Sequence, residues 1–298
     1  MNKLILLLAV FLVSTAGLFA HQALSQATPL AIAAWRLGLA ALFFTGLSLL
    51  RRGESVPGPI PKDVRWRLAL AGLCLAAHFV TWFAALDRTS VARATLLACT
   101  TPLWTTIGSF LLGRRRPTLR DTFALAVAGL GLWLVTQASA QTASRTTFLG
   151  DAFGLSAGLL FGSYLLCVEG LHETISSQRQ VTVAYSVAAV VLWAALLARG
   201  GATLAYSSSV WRALLGMTLG PQIFGHTLLN WSLRHFTSSL VAFSILLEPV
   251  IAALLAWYLL GQTLTAGQLF GGLLVLGALA LVISQKATAE QVEAEPVG

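Results

Sequence analysis

Long apolar runs separated by short polar connections follow one another along almost the whole chain. A helix that crosses a bilayer needs about 20 mostly apolar residues, and ten stretches of the chain meet this condition. Because the connections are short, nearly all of the chain is expected to lie in the membrane. The predicted helices, 1 to 10 in chain order, span residues 4–20, 29–50, 67–86, 91–112, 120–137, 151–171, 181–199, 211–232, 238–260 and 266–284.

Composition supports the same class of protein. Hydrophobic residues make up 57% and charged residues 10% of the 298 residues, and the mean hydropathy is +0.79. These values are typical of an integral membrane protein and exclude a water-soluble domain of this length. The net charge of +8 comes from short basic clusters between the apolar runs, so it indicates topology rather than a nucleic-acid partner. The polar segment 286–298 is predicted to be a disordered cytoplasmic tail.

The distribution of basic residues predicts the orientation. With a cytoplasmic N-terminus, 13 of the 19 Lys and Arg residues face the cytoplasm, 5 face outward and 1, Arg36, lies within helix 2. The positive-inside rule therefore favours cytoplasmic N- and C-termini. The alternative for helix 1 is a cleavable signal peptide, because Lys3, an apolar core and small residues before His21 imitate one. An uncleaved helix is favoured, since nine further spans follow.

The chain also contains an internal repeat. The segment from Leu86 to Gly113 resembles the segment from Leu233 to Gly261, so that Pro102 corresponds to Pro249, with one inserted residue. Two units of five helices follow, residues 1–140 and 150–285. Because five is odd, the second unit enters the membrane from the opposite side. We therefore predict an all-α membrane protein built from two inverted-topology repeats.

Four motifs are spread along the two units. They are PLAIAAWR from Pro29 to Arg36, the TS…P pattern ending at Pro102, Gly150 with Asp151, and LLEPV followed by LLGQTLTAGQ. These motifs resemble the EamA-type ten-helix exporters of the drug/metabolite transporter superfamily. The resemblance covers nearly the whole chain, although Gln262 stands where that family usually has glutamate, and Ser14 to Ala16 where it often has a Trp-Gly pair. It implies a secondary transporter of the inner membrane that exports small metabolites or amino-acid-like solutes by alternating access.

Polar side chains recur at every fourth position of two corresponding helices. Helix 3 carries Cys74, His78 and Trp82, and helix 8 carries Gln222, His226 and Asn230. Ionisable side chains in a bilayer are costly and usually face a cavity or a partner. We therefore expect a shared central cavity, while helix packing is the alternative role for these side chains. The residues predicted to line the cavity are His78, Trp82, Cys99, Gln222, His226, Asn230, Trp35 and Arg36.

Three further assignments concern mechanism. Arg36 either extends to the surface or pairs with Glu248 or a substrate carboxylate. Glu248 and His78 are candidates for proton coupling. Pro102 and Pro249 are candidate hinges or kinks, because proline removes a backbone donor and loosens the preceding turn.

The sequence argues against several other chemistries. GLSAG from Gly154 to Gly158 matches a hydrolase pattern that needs a strand-to-helix turn, but it lies in a predicted membrane helix. With Gly162 it forms a glycine ladder, which lets another helix approach closely. The sequence contains no P-loop, HExxH or nucleotide fingerprint, so we expect no metal and no cofactor.

The expected partners are a small-molecule substrate and the lipid bilayer, with no nucleic acid. The protein is expected to be a monomer or a homodimer. A passive facilitator or channel, and less favourably a membrane enzyme using Ser156, are the alternatives.

Overall fold

A computed structural model describes residues 1–50, 58–89, 91–139, 148–201, 204–260 and 265–294, and in these ranges the chain is helical without β-strands. The helices are α1 (Asn2–Ser14), α2 (Ala16–Ala23), α3 (Pro29–Leu50), α4 (Lys62–Arg88), α5 (Val91–Ala98), α6 (Thr101–Leu111), α7 (Leu119–Ser139), α8 (Phe148–Val168), α9 (Ser177–Ala198), α10 (Ser208–Met217), α11 (Thr227–Ser232), α12 (Ser238–Ile245), α13 (Glu248–Leu260) and α14 (Ala266–Ala294). A π-helical segment, Thr218–His226, joins α10 to α11, and a 3-10 turn, Leu171–Glu173, follows α8.

Helical structure runs through each of the predicted apolar windows. Within the described ranges, five stretches are long and apolar enough to cross a bilayer: Asn2–Ala23, Pro29–Leu50, Lys62–Arg88, Phe148–Glu173 and Ser177–Ala198. Shorter apolar helices lie at Ser238–Ala252 and Leu269–Val282. α14 continues to Ala294, into the polar segment predicted as a tail. Gln262 lies outside the described residues.

Two windows predicted as continuous helices are interrupted just before a proline. The breaks fall between α5 and α6 and between α12 and α13, and Pro102 and Pro249 are the second residues of α6 and α13. Proline is tolerated in the first turn of a helix, where no intrahelical donor is needed, but not further inside. The hydroxyl of Thr101 donates to the carbonyl of Ala98 at 2.9 Å, which is the acceptor that the missing N–H of Pro102 would have used.

The helix predicted over 211–232 is interrupted in a different way. Its middle is the π segment, which contains Pro221. Since Pro221 cannot donate to the carbonyl one α-turn earlier, the wider i to i+5 turn avoids an unpaired position. Such π segments are frequent at functional sites, and this one carries Gln222 and His226.

Glycines bring α8 against the break between α5 and α6. A Cβ at Gly154 would lie 2.7 Å from Cβ of Leu97, and one at Gly158 would lie 2.5 Å from Oγ1 of Thr100 and 2.8 Å from the carbonyl oxygen of Ala98. A Cβ at Gly162 would lie 3.1 Å from Cβ of Trp104. The close helix approach predicted from this glycine ladder is confirmed, and it fixes α8 beside the broken helix.

Candidate functional site: a central polar cavity

A small cavity of about 40 Å³ lies where the interrupted helices meet. α4 contributes His78, Phe79 and Trp82 to its wall, and the opposite halves of the chain contribute Arg36 from α3 and Glu248 from α13. The remaining lining residues are Val13, Ala16, Thr95, Ala98, Cys99, Thr101, Phe161, His226, Leu229 and Ile245. The cavity is therefore built from both halves of the chain.

Arg36 lies inside the protein rather than at the surface. Its side chain is 1% exposed, and Nε donates a hydrogen bond of 2.7 Å to Oε1 of Gln222. Its guanidinium carbon lies 4.1 Å from the centre of the Phe79 ring, a cation–π geometry. Neither Nη1 nor Nη2 has a hydrogen-bond partner among the described residues. Both terminal donors of the guanidinium fork are thus available at the cavity.

Glu248 lies in the same cavity wall and is close enough to Arg36 to interact electrostatically. The two side chains nevertheless do not form an ion pair. Glu248 is the first residue of α13, as Thr101 is the first residue of α6. The carboxylate therefore stands at a helix break, with a cation across the cavity.

The two histidines pack against the same pair of phenylalanines. The His78 ring lies 4.8 Å from the rings of both Phe79 and Phe161, and the His226 ring lies 5.3 Å from each. Nδ1 of His78 lies 2.9 Å from the carbonyl oxygen of Ala157. Because a carbonyl only accepts, Nδ1 carries the proton, which leaves Nε2 of a neutral His78 as an acceptor. Nδ1 of His226 has no partner among the described residues.

Side chains at the break between α5 and α6 contact backbone carbonyls of α12 and α8. Sγ of Cys99 lies 4.0 Å from the carbonyl oxygen of Ile245, the group that the missing N–H of Pro249 leaves free. The hydroxyl of Thr101 lies 3.3 Å from the carbonyl oxygen of Gly158. The two breaks, one in each half of the chain, therefore face each other at the cavity.

Three residues predicted for the cavity lie outside its lining. Trp35 neighbours Arg36 in α3 and points about 100° away around the helix axis; it packs edge-on against Trp193 at 4.8 Å and Trp211 at 4.9 Å. Asn230 lies one turn beyond His226, where Nδ2 donates to the hydroxyl of Tyr164 at 3.0 Å. Gln222 stands behind Arg36 and orients it.

Phe79, Phe161 and Tyr164 were not identified from the sequence. Phe79 adjoins His78, and Phe161 adjoins Gly162 of the glycine ladder. Only these neighbouring residues stood out in the sequence as candidates for a site or a close helix contact. In an apolar helix, an aromatic residue that lines a cavity and one that packs against another helix have the same periodicity.

The arrangement suits binding of a small polar solute. A guanidinium fork can bind a carboxylate or another anion through two parallel hydrogen bonds. Glu248 can bind a cation, and the aromatic rings of the lining can contact apolar parts of the solute.

Ser156, the residue considered for an enzyme, donates to the backbone carbonyl of Ala152 at 2.7 Å within α8. No cluster of three or more His, Cys, Asp or Glu able to hold a metal occurs in the described part of the chain.

These features define a multi-pass helical membrane protein with a central polar cavity. The EamA-like transporter family model matches residues 3–137 and 148–284. The chain therefore belongs to the EamA-like transporter family, which confirms the resemblance noted in its motifs.

Known relatives are similar over most of their length. An uncharacterized transporter of Archaeoglobus fulgidus is 24% identical, with 96% of this chain and 99% of that protein covered. The uncharacterized transporter YwfM of Bacillus subtilis is 26% identical, with 94% and 93% covered. A solved crystal structure has a TM-score of 0.75 at 18% identity, covering 98% of this chain and 99% of the other; it shares the fold.

Proposed function

We propose that the protein is a secondary active transporter that exports small metabolites or amino-acid-like solutes across the inner membrane by alternating access. The single observation that carries this proposal is the buried cavity between two sets of broken helices, with unpaired donors of Arg36 facing it. A polar cavity shared by two repeats is the arrangement by which secondary transporters bind solute near the bilayer midplane.

The proposed architecture is ten membrane-spanning helices in two inverted repeats, residues 1–140 and 150–285, with both termini in the cytoplasm. Two observations support it. The family model matches the chain twice, over 3–137 and 148–284. His78 and His226, which correspond in the two repeats, contact the same two phenylalanine rings. Pro102 and Pro249 would then act as paired hinges, since each follows a helix break.

The proposed solute carries both an anionic and a cationic group. Arg36 would hold the anion through Nη1 and Nη2, and Glu248 would hold the cation. Trp82 and the two histidines would contact the apolar remainder, together with Phe79 and Phe161. The separation of Arg36 from Glu248 supports this assignment, because a closed ion pair would occupy the groups that the solute needs.

Glu248 is the proposed proton-coupling residue, with His78 as the second candidate. A carboxylate that lines the solute cavity can take a proton on one side of the membrane and release it on the other.

The test is transport into proteoliposomes of a solute first found by a thermal-shift screen, with and without a pH gradient. We expect the gradient to accelerate transport in the wild type, and we expect Glu248→Gln to exchange solute but not to respond to the gradient. Unchanged coupling in Glu248→Gln would exclude its role. Conductance without counterflow would indicate a channel instead.

A further inference from the structure

A network of charge-assisted hydrogen bonds surrounds Glu169, the residue directly after α8. Oε2 of Glu169 accepts from Nη1 of Arg114 at 3.0 Å, and Oε1 accepts from the backbone N–H of Ser238 at 2.6 Å. Arg114 follows α6 in the first half of the chain, whereas Ser238 begins α12 in the second half. One carboxylate, with a side chain 21% exposed, therefore joins the two halves.

Two arginines of the first half bind the C-terminal end of α8. Arg67 of α4 donates from Nε to the carbonyl of Cys167 at 3.0 Å and from Nη2 to the carbonyl of Glu169. Nη1 of Arg114 also donates to the carbonyl of Leu166 at 2.9 Å. The last carbonyls of a helix lack intrahelical donors and carry partial negative charge, so these cationic donors hold α4 and the α6–α7 connection to α8.

This network lies along the same helices as the central cavity. Phe161 of the cavity wall precedes Glu169 by eight residues in α8, which is about 12 Å of helix. His78 follows Arg67 by eleven residues in α4, about 16 Å. The network therefore closes the bundle two to three turns from the cavity, at the end that the basic residues place in the cytoplasm.

Hydrogen bonds between neutral groups also join the halves at the opposite end. The backbone N–H of Ser207 donates to Oε1 of Gln26 at 2.9 Å, and Nε2 of Gln22 lies 3.4 Å from Oγ of Ser209, and both bonds are exposed. The guanidinium of Arg88 lies 5.5 Å from the ring of Phe153. A hydrogen bond between neutral groups contributes less than a charge-assisted one such as that from Arg114 to Glu169.

We propose that Glu169 is a gating residue, which holds the cytoplasmic end of the cavity closed until its bonds to Arg114 and Ser238 break. This inference rests on the proposed transport function and adds to it a positioning residue outside the solute cavity. While the bonds hold, the α6–α7 connection, α8 and α12 cannot separate at that end, and the cavity stays closed toward the cytoplasm. Release of Glu169 lets the same helices part and expose the cavity to the cytoplasm.

The experiment uses Cys99 of the cavity wall as the reporter, in full-length protein with Cys74→Ala and Cys167→Ala, the only other cysteines. A membrane-impermeant maleimide is applied to inside-out and right-side-out vesicles. We expect Glu169→Gln to raise the rate of Cys99 labelling from the cytoplasmic face about tenfold, in line with the loss of one charge-assisted bond. Labelling from the opposite face should fall.

Three further variants separate gating from misfolding. Glu173→Gln, an exposed glutamate in the adjacent 3-10 turn, is the matched control and should leave both rates unchanged. Arg114→Gln removes the same bond from the other partner and should reproduce the shift, and Glu169→Asp should restore part of the wild-type asymmetry. Unchanged cytoplasmic labelling in both Glu169→Gln and Arg114→Gln would overturn the proposal. Because labelling needs no solute, failure of the gate and failure of the transport function are distinguishable.

Discussion

At the scale of single residues, the cavity is marked by buried polar atoms that the fold leaves unpaired. Nη1 and Nη2 of Arg36, Nε2 of Gln222 and Nδ1 of His226 have no hydrogen-bond partner among the described residues. Buried polar atoms in proteins are nearly always paired, and each unpaired one costs about 1–3 kcal/mol. Arg36 and His226 line the cavity, which is the expected arrangement where a solute supplies the missing partners.

The fork of Arg36 leads to a prediction about solute affinity. Arg36→Lys keeps the positive charge but loses the bond from Nε to Gln222 and the two parallel donors, and lysine cannot bind a carboxylate in the same way. We expect solute affinity to fall about 10- to 100-fold, the equivalent of one hydrogen bond to a charged group. Titration of each protein with the solute found in the thermal-shift screen measures this affinity.

The matched control for Arg36→Lys is Arg88→Lys, at an arginine near the end of α4 that lies outside the cavity lining. It should bind solute like the wild type. Equal affinities for wild type and Arg36→Lys would remove the proposed anion contact.

Sequence alone could identify the ionisable residues of the cavity, but not its walls. His78, His226, Arg36 and Glu248 are noticeable because a charge or imidazole is costly in an apolar run. Trp35 lies outside the lining, against Trp193 and Trp211, because adjacent residues of a helix face directions about 100° apart and it points away from Arg36.

At the scale of helices, the site depends on where regular structure stops. The carbonyls of Ala98 and Ile245, which lose their usual donors before Pro102 and Pro249, are contacted by side chains of Thr101 and Cys99. Hydropathy windows cannot locate such breaks, because interrupted and continuous apolar helices have the same mean hydropathy. The two prolines indicated kinks, whereas the π segment at Pro221 was not predicted.

The contact between α8 and the broken helix can be tested with one added carbon. Gly158→Ala places a Cβ 2.5 Å from Oγ1 of Thr100 and 2.8 Å from the backbone carbonyl of Ala98, and backbone cannot move aside cheaply. We expect the free energy of unfolding to fall by about 1–3 kcal/mol, measured as a lower Tm in detergent.

The same substitution at Gly129 is the control for Gly158→Ala. A Cβ at Gly129 meets nothing within 4 Å, so Gly129→Ala should leave Tm unchanged or raise it slightly, because alanine has the higher helix propensity. Equal Tm values for the two variants would mean that α8 is not held against the α5–α6 break.

At the scale of the whole molecule, two related halves carry unlike chemistry. The repeat places His78 against the same rings as His226, but Glu248 corresponds to Thr101. The network around Glu169 joins the halves at the C-terminal end of α8. Periodicity in the sequence could predict the repeat. It could not predict the network, because Arg67, Arg114 and Glu169 are far apart along the chain and look like ordinary topology-setting charges.

The inverted relation of the halves makes a prediction about sidedness. Five membrane crossings, an odd number, must place the end of the first half opposite the N-terminus, and ten must return the C-terminus to the cytoplasm. Alkaline phosphatase, which is active only outside the cytoplasm, should therefore be active when fused after Ser139 of α7 and inactive after Ala294 of α14. A fluorescent protein that matures only in the cytoplasm should give the reverse result. Activity of the same reporter at both positions would mean an even number of crossings between them, and the two halves could not then be inverted repeats that open a shared cavity alternately to each side.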